Sequence, residues 1–238
     1  MISVLMPVYN TSKQFLVSSL ESCLNQTVND YEIVVIDNGS SNDDTISILH
    51  EYSAKHAKVK VYKCPRQPDK KNLSVALNYG LTKCEYNLVA RIDSDDLMTP
   101  DRLEKQLLYM RKNPDIDILG GQIFILQQRS ITRHPPVITK KTPLQIHWFI
   151  NHPTVMYRRD KILEIGGYKE VPVHFAEDYE LWLRALTHGL QMRNLNEIIV
   201  HYNLHPGSLT NTAKQSPDYQ KQVTVALAEF VEKNNDIG

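Results

Sequence analysis

Leu88-Val89-Ala90-Arg91-Ile92-Asp93-Ser94-Asp95-Asp96-Leu97 is an apolar, strand-like run that ends in three acids within four residues. Carboxylates crowded at a strand end repel one another and resist ionisation unless positive charge lies between them. The cluster therefore implies a partner, most simply a hard divalent cation with oxygen ligands. The alternative is a solvated acidic turn. Loops at strand ends are also where α/β chains place their sites.

On the N-terminal side of this run the chain alternates strand and helix. Ile2 to Met6 reads as a short buried strand stopped by Pro7, and Phe15, Leu16, Leu20 and Leu24 recur at helical spacing. Tyr31 to Ile36 is a β-branched run of the kind buried on both faces of a parallel sheet. The polar turn Asp37 to Asp44 and a helix from Thr45 to His56 follow it. Val59 to Tyr62 predicts a third strand, Asn72 to Leu81 a short helix, and Leu88 to Ile92 the strand that feeds the acids. This alternation specifies an α/β fold with a mostly parallel central sheet flanked by helices. Ligands are expected beyond the carboxyl ends of the strands, where Pro7, Asp37 and Asp93 to Asp96 lie.

Lys plus Arg and Asp plus Glu number 27 each in 238 residues, so no global field recruits nucleic acid. Three cysteines without a C-x-x-C pair argue against a disulfide framework or zinc knuckle and point to a reducing, cytoplasmic setting. No transmembrane segment is readable, and the chain reads as soluble, with a peripheral membrane position left open. G-x-G-x-x-G after the first strand, G-K-[ST], H-E-x-x-H and G-x-S-x-G are absent. Dinucleotide redox chemistry, phosphate-loop hydrolysis and serine hydrolysis therefore lack support. A phosphatase-type Asp-x-Asp is expected on the first strand, and here the pair is on the fourth.

Several signatures occur in order: Pro7-Val8-Tyr9-Asn10, Ser22-Cys23-Leu24-Asn25-Gln26-Thr27, Val34-Val35-Ile36-Asp37-Asn38-Gly39-Ser40, Asn72 to Gly80, and Ala90-Arg91-Ile92-Asp93-Ser94-Asp95-Asp96. His152-Pro153-Thr154-Val155-Met156, Gly166-Gly167-Tyr168 and Ala176-Glu177-Asp178-Tyr179-Glu180-Leu181-Trp182-Leu183-Arg184 follow. Together they resemble the family-2 inverting glycosyltransferases over residues 1–210. The resemblance implies a single A-type glycosyltransferase domain, with a nucleotide-sugar half over 1–110, an acceptor half over 111–210 and a C-terminal helical tail over 211–238.

It also implies roles. Pro7, Val8 and Tyr9 meet the nucleotide of a UDP-sugar, with Tyr9 against the base. Asp37 accepts from a uracil-like ring N–H, which suits a group that accepts and does not donate. Asn72 and Asn78 line the ribose and diphosphate, as do Arg91, Asp93 and Ser94. Asp93, Asp95 and His205 form the shell of Mn²⁺ or Mg²⁺, with Asp96 behind them, and the metal stabilises the departing diphosphate. Asp178 is the base for an acceptor hydroxyl, and His152, Glu177 and Trp182 lie on the acceptor side. Taken without the resemblance, Tyr9 reads as a packing aromatic, Asp37 as a helix cap, and Glu177 and Asp178 as first-turn acids complementing a helix dipole. A catalytically silent nucleotide-sugar-binding module is the alternative function, and intact Asp95 and Asp178 weigh against it.

Where many members carry Tyr-Arg-x-His, this chain reads Tyr202-Asn203-Leu204-His205. The replacing cation is one of Arg66, Lys70, Lys71 or Arg91. In the tail, Val223, Leu227, Phe230 and Val231 share a helix face that docks on its own domain or on another subunit, as in a homo-oligomer. The acceptor's identity is encoded in Gln127 to Pro153 and the tail.

Overall fold

The computed structural model describes residues 1–65, 73–146, 148–170, 176–208, 211 and 216–234. Asn72, Arg66, Lys70 and Lys71 lie outside them. The elements run β1 (Ile2–Val8), α1 (Lys13–Leu24), β2 (Tyr31–Asp37), α2 (Asp43–Lys55), β3 (Val59–Lys63), α3 (Leu73–Lys83), β4 (Leu88–Arg91), β5 (Leu97–Met98) and α4 (Arg102–Lys112). The second half adds β6 (Ile118–Ile125), β7 (Ser130–Thr132), β8 (Val137–Ile138), α5 (Thr142–Gln145), β9 (Met156–Arg158), α6 (Arg159–Glu164), α7 (Glu177–Thr187), β10 (Met192–Tyr202) and α8 (Pro217–Lys233).

The sheet order is β3-β2-β1-β4-β9-β6-β10-β5, with β7 on β6 and β8 on β10. β1 pairs in parallel with β2 and β4, β2 with β3, and β6 with β10. β9 is antiparallel to both β4 and β6, so it joins two parallel blocks into one mixed sheet. Both faces are covered. Leu5, Val34, Ile36 and Val89 pack toward α3, α7 and α8, whereas Val4, Met6, Ile33, Val35 and Ala90 pack toward α1, α2 and α4. Burial on both faces is why these strands read as unbroken apolar runs.

β1 does not stop at Pro7 but runs on to Val8, with Pro7 opposite Ile36. Leu5 C=O accepts from Ile92 N–H, so Leu5 and, two residues on, Pro7 point their backbone groups at β4. The β4 ladder ends at Leu5 opposite Arg91. The donor that proline lacks would therefore face the point where β4 has already turned off into the acids. Val8 faces the other way, and its C=O accepts from Asn38 N–H.

The tail docks on its own domain. Tyr219, Val223 and Phe230 are buried in the cluster that holds α7, Tyr219 stacks on Trp148 with ring centres 6.1 Å apart, and Asn234 Nδ2 donates to Thr187 Oγ1 at 3.0 Å. Val231, expected on the docking face, instead points outward at 44% exposure.

Candidate active site

The carboxyl ends of β1, β2 and β4 converge. At the first of these ends Tyr9 is 45% exposed, and Asn10 takes a positive φ of 48° that lets the chain turn back. Asn10 Oδ1 accepts from the N–H groups of Ser41 and Asn42 at 2.8 and 3.0 Å, which fixes the β2–α2 turn against the β1–α1 turn. Asp37 is buried at the end of β2, and its Oδ1 accepts from Ser40 N–H at 2.8 Å. Oδ2 accepts no hydrogen bond among the described residues. Beyond these ends lies a cavity of about 460 Å³ lined by Gly39, Ser40, Lys63, Cys64 and Pro65. The helix-cap role considered for Asp37 belongs to Asn42, whose side chain accepts from Thr45 N–H at 3.1 Å.

The acid cluster has an internal cation. Arg91 and Asp93 are two apart in extended chain, so both side chains leave the same face, and the guanidinium forks onto both oxygens of Asp93. Burial works against the charge of Arg91, but Asp93, Tyr168 and Glu177 together raise its pKa above the ordinary arginine value. Part of the positive charge that the carboxylates call for is therefore internal, although burial still leaves the Asp93 pKa raised. Asp93, expected in the metal shell, has both oxygens in the fork, and Arg91 is not free to replace the arginine missing at Asn203.

The other acids separate by environment. Asp96 is fully buried, its Oδ1 accepts from Asn203 N–H at 2.8 Å, and burial followed by Asp93 and Asp95 holds its pKa well above the usual carboxylate range. Asp95 is part-exposed, and its Oδ2 lies 2.9 Å from His205 Nε2. Gly207 N–H donates to His205 Nδ1 at 3.2 Å, which assigns the ring proton to Nε2, and Phe15 stacks on the ring at 4.9 Å. Ser94 is buried, with its hydroxyl 2.6 Å from that of Thr11. No group of three metal-binding side chains stands together among the described residues.

Across Arg91 lie the acids that open α7. Burial, reinforced by Asp178, pushes the Glu177 carboxyl up to about 8. Burial likewise pushes Asp178 up to about 6, against the Tyr179 N–H bond at 2.7 Å and the charge of Arg91, both of which favour its ionised form. His152 is buried, its Nε2 lies 2.9 Å from Tyr168 Oη and its Nδ1 3.9 Å from Glu177 Oε1. Burial and the nearby Arg91 hold its pKa well below the ordinary histidine value, so the ring is neutral. Trp182 is buried edge-on to His152 at 5.8 Å, supporting it from below.

Asn78 does something other than line a diphosphate site. Its Oδ1 accepts from Tyr168 N–H at 2.8 Å, and its Nδ2 donates to Tyr168 C=O at 2.7 Å and Glu170 Oε1 at 2.8 Å. It therefore clamps the Gly166-Gly167-Tyr168 turn. Arg184 of α7 holds the same turn, donating to the carbonyls of Ile165 and Gly167.

The sequence reading missed Arg102. This side chain is fully buried, donates to the carbonyls of Pro153, Arg91 and Val155 and to Gln106 Oε1, and has its pKa lowered to about 9 by burial. Gln106 Nε2 in turn donates to the carbonyls of Leu119 and Thr154, both at 2.8 Å. The pair ties β4, β6 and the segment carrying His152 into one rigid floor. A legible signal exists, since Arg102 and Gln106 share the buried stripe of α4 with Leu103 and Met110.

The O-antigen biosynthesis glycosyltransferase WbnJ of Escherichia coli is 35% identical over 239 residues, covering 98% of this chain and 90% of that protein. A UDP-Gal:alpha-D-GlcNAc-diphosphoundecaprenol beta-1,3-galactosyltransferase of E. coli is 30% identical over 207 residues, 83% of this chain and 72% of that one. The S. aureus TarS 1–349 structure in complex with UDP-GlcNAc superposes with a TM-score of 0.78 over all of this chain and 73% of that one, at 21% identity, and so shares the A-type fold. The model of glycosyl transferase family 2 matches residues 3–166, and the chain belongs to that family of sugar transferases.

Proposed function

We propose that the chain moves a hexose, glucose first, from a UDP-sugar to a hydroxyl of a glycan, lipid-linked saccharide or protein, with inversion at the anomeric carbon. The observation that carries this reading is the placement of Asp178. It is a half-buried carboxylate, raised to about 6, on a rigid helix start that Arg91 links electrostatically to Asp93. At pH 7 a group of pKa 6 is about nine-tenths ionised and still basic enough to take the proton of an attacking hydroxyl. Its neighbour Glu177, at about 8, holds a proton and serves as a neutral hydrogen-bonding wall. The relatives named for UDP-Gal and solved with UDP-GlcNAc support the uridine donor, as does the acceptor-only Asp37 beside the cavity.

Asp95 and His205 would hold a divalent ion: they offer an oxygen and a nitrogen donor, 2.9 Å apart and part-exposed. When bound, Mn²⁺ or Mg²⁺ would supply Lewis acidity to the leaving diphosphate. The chain's own groups orient the reactants: Tyr9 and Asp37 the base, Ser94 the ribose side, and His152 with Glu177 the acceptor. Incubation with a panel of nucleotide sugars in Mn²⁺, followed by NMR of the product anomer, tests this. UDP-hexose turnover with the opposite configuration is expected, and retention would sink the single-displacement mechanism.

A further inference from the structure

From Ile118 to Arg159 the chain contains neither Asp nor Glu, although acids and bases balance over the whole sequence. Within that run lies the excursion from Gln127 to Ile146 that carries β7, β8 and α5. Arg129, Arg133, Lys140 and Lys141 are all exposed on it, and none forms an ion pair among the described residues. Ile131 at 41%, Val137 at 51%, Leu144 at 49% and Ile146 at 42% are exposed on the same segment. They are four of the eleven large apolar side chains that the described residues expose. Single exposed apolar residues are ordinary, but their concentration among uncompensated cations is the pattern of a segment that lies at a bilayer interface.

The excursion is held in place. His134 N–H donates to Gln122 Oε1 at 2.7 Å, Gln122 Nε2 returns a bond to His134 C=O at 3.2 Å, and Asn194 Nδ2 donates to Pro135 C=O at 2.8 Å. The first end meets the site. At the start Gln127 Oε1 accepts from Leu204 N–H at 2.7 Å, next to His205. Beyond Ile146 the chain continues to His152, whose ring faces Glu177.

We propose that Gln127 to Ile146 is a docking surface for an anionic lipid bilayer, and that it seats the site over a hydroxyl acceptor anchored in that bilayer. Cations draw the segment to anionic headgroups, and Leu144 and Ile146 insert at their level. The acceptor clause rests on the transferase reading. The docking itself does not.

The test is co-sedimentation of the full chain with phosphatidylcholine vesicles, with and without phosphatidylglycerol, at low and physiological salt. Wild type should pellet only with the anionic vesicles. Lys140→Ala/Lys141→Ala should weaken partitioning roughly thirtyfold, two headgroup-facing charges' worth. Leu144→Ser/Ile146→Ser should weaken it as well, while UDP affinity and melting temperature stay unchanged in both variants. Absence of wild-type binding at low salt, equal binding to neutral vesicles, or wild-type binding by both variants would each overturn the proposal. A wild type that docks yet binds no UDP would overturn the UDP-sugar donor reading and leave the docking surface standing.

Discussion

Nε2 of His205 lies 2.9 Å from Oδ2 of Asp95, a residue 110 positions earlier, so the end of the last long strand closes onto the acid cluster. A cation at Nε2 would move the ring proton to Nδ1 and break the Gly207 bond. In Asp95→Asn or His205→Ala, calorimetric UDP affinity in Mn²⁺ should fall at least about tenfold, while any affinity in chelator is unchanged. Equal wild-type affinity with metal and with chelator would remove the metal from the reading.

On the proposed mechanism the raised carboxyl of Asp178 sets the pH response. The group must lose its proton to act, so kcat/KM should rise with pH through about 6 and level above it. Asp178→Asn should keep UDP affinity but lose transfer by roughly a hundred- to ten-thousandfold. Glu177→Gln copies the neutral form of Glu177 and should retain transfer to within about tenfold. If Glu177→Gln proves the inactive variant instead, the base is Glu177.

Ser40 N–H holds Oδ1 of Asp37, and on the proposed uridine reading Oδ2 is left for the base edge. Thermal-shift ranking should therefore place UDP above ADP and GDP, and Asp37→Ala should erase the difference. A purine nucleotide ranking first in the wild type would contradict the assignment.

Arg102→Leu would leave the buried carbonyls of Pro153 and Arg91 without this donor, while Val155 C=O keeps the Arg91 N–H. Urea denaturation should show a loss on the order of 3 kcal/mol, and Arg102→Lys should recover little of it because an ammonium cannot fork. A midpoint unchanged from wild type in Arg102→Leu would mean that water satisfies the carbonyls.

The N-terminal half was legible because strands buried on both faces must be apolar throughout, which sets Ile33 to Ile36 and Val89 to Ala90 apart from any amphipathic helix. The acids Asp93, Asp95 and Asp96 are local in sequence, and so were found. Their division of labour was only half visible. The fork from Arg91 to Asp93 follows from alternation along a strand and was within reach. Asp95 and His205 were brought together by the family resemblance alone, and the pairing of Asp96 with the Asn203 backbone depends on a contact across more than a hundred residues that no local pattern encodes. The clamp that Asn78 and Arg184 make on the Gly166 to Tyr168 turn went unread for a related reason, since they grip the turn itself through its backbone groups, and backbone carries no sequence signal.

The Asn78 clamp bears on how such enzymes can be recombined. Gly167 has a φ of +64°, and a Cβ there would come within 2.7 Å of Asn78 Oδ1. Positions 78 and 167 therefore form one unit shared between α3 and the turn that follows α6. A chimera that takes residues up to about 110 from one relative and the remainder from another inherits the two from different parents. It should assemble a working cleft only where both parents carry the same pair, so a search for new donor and acceptor combinations begins by matching these two positions.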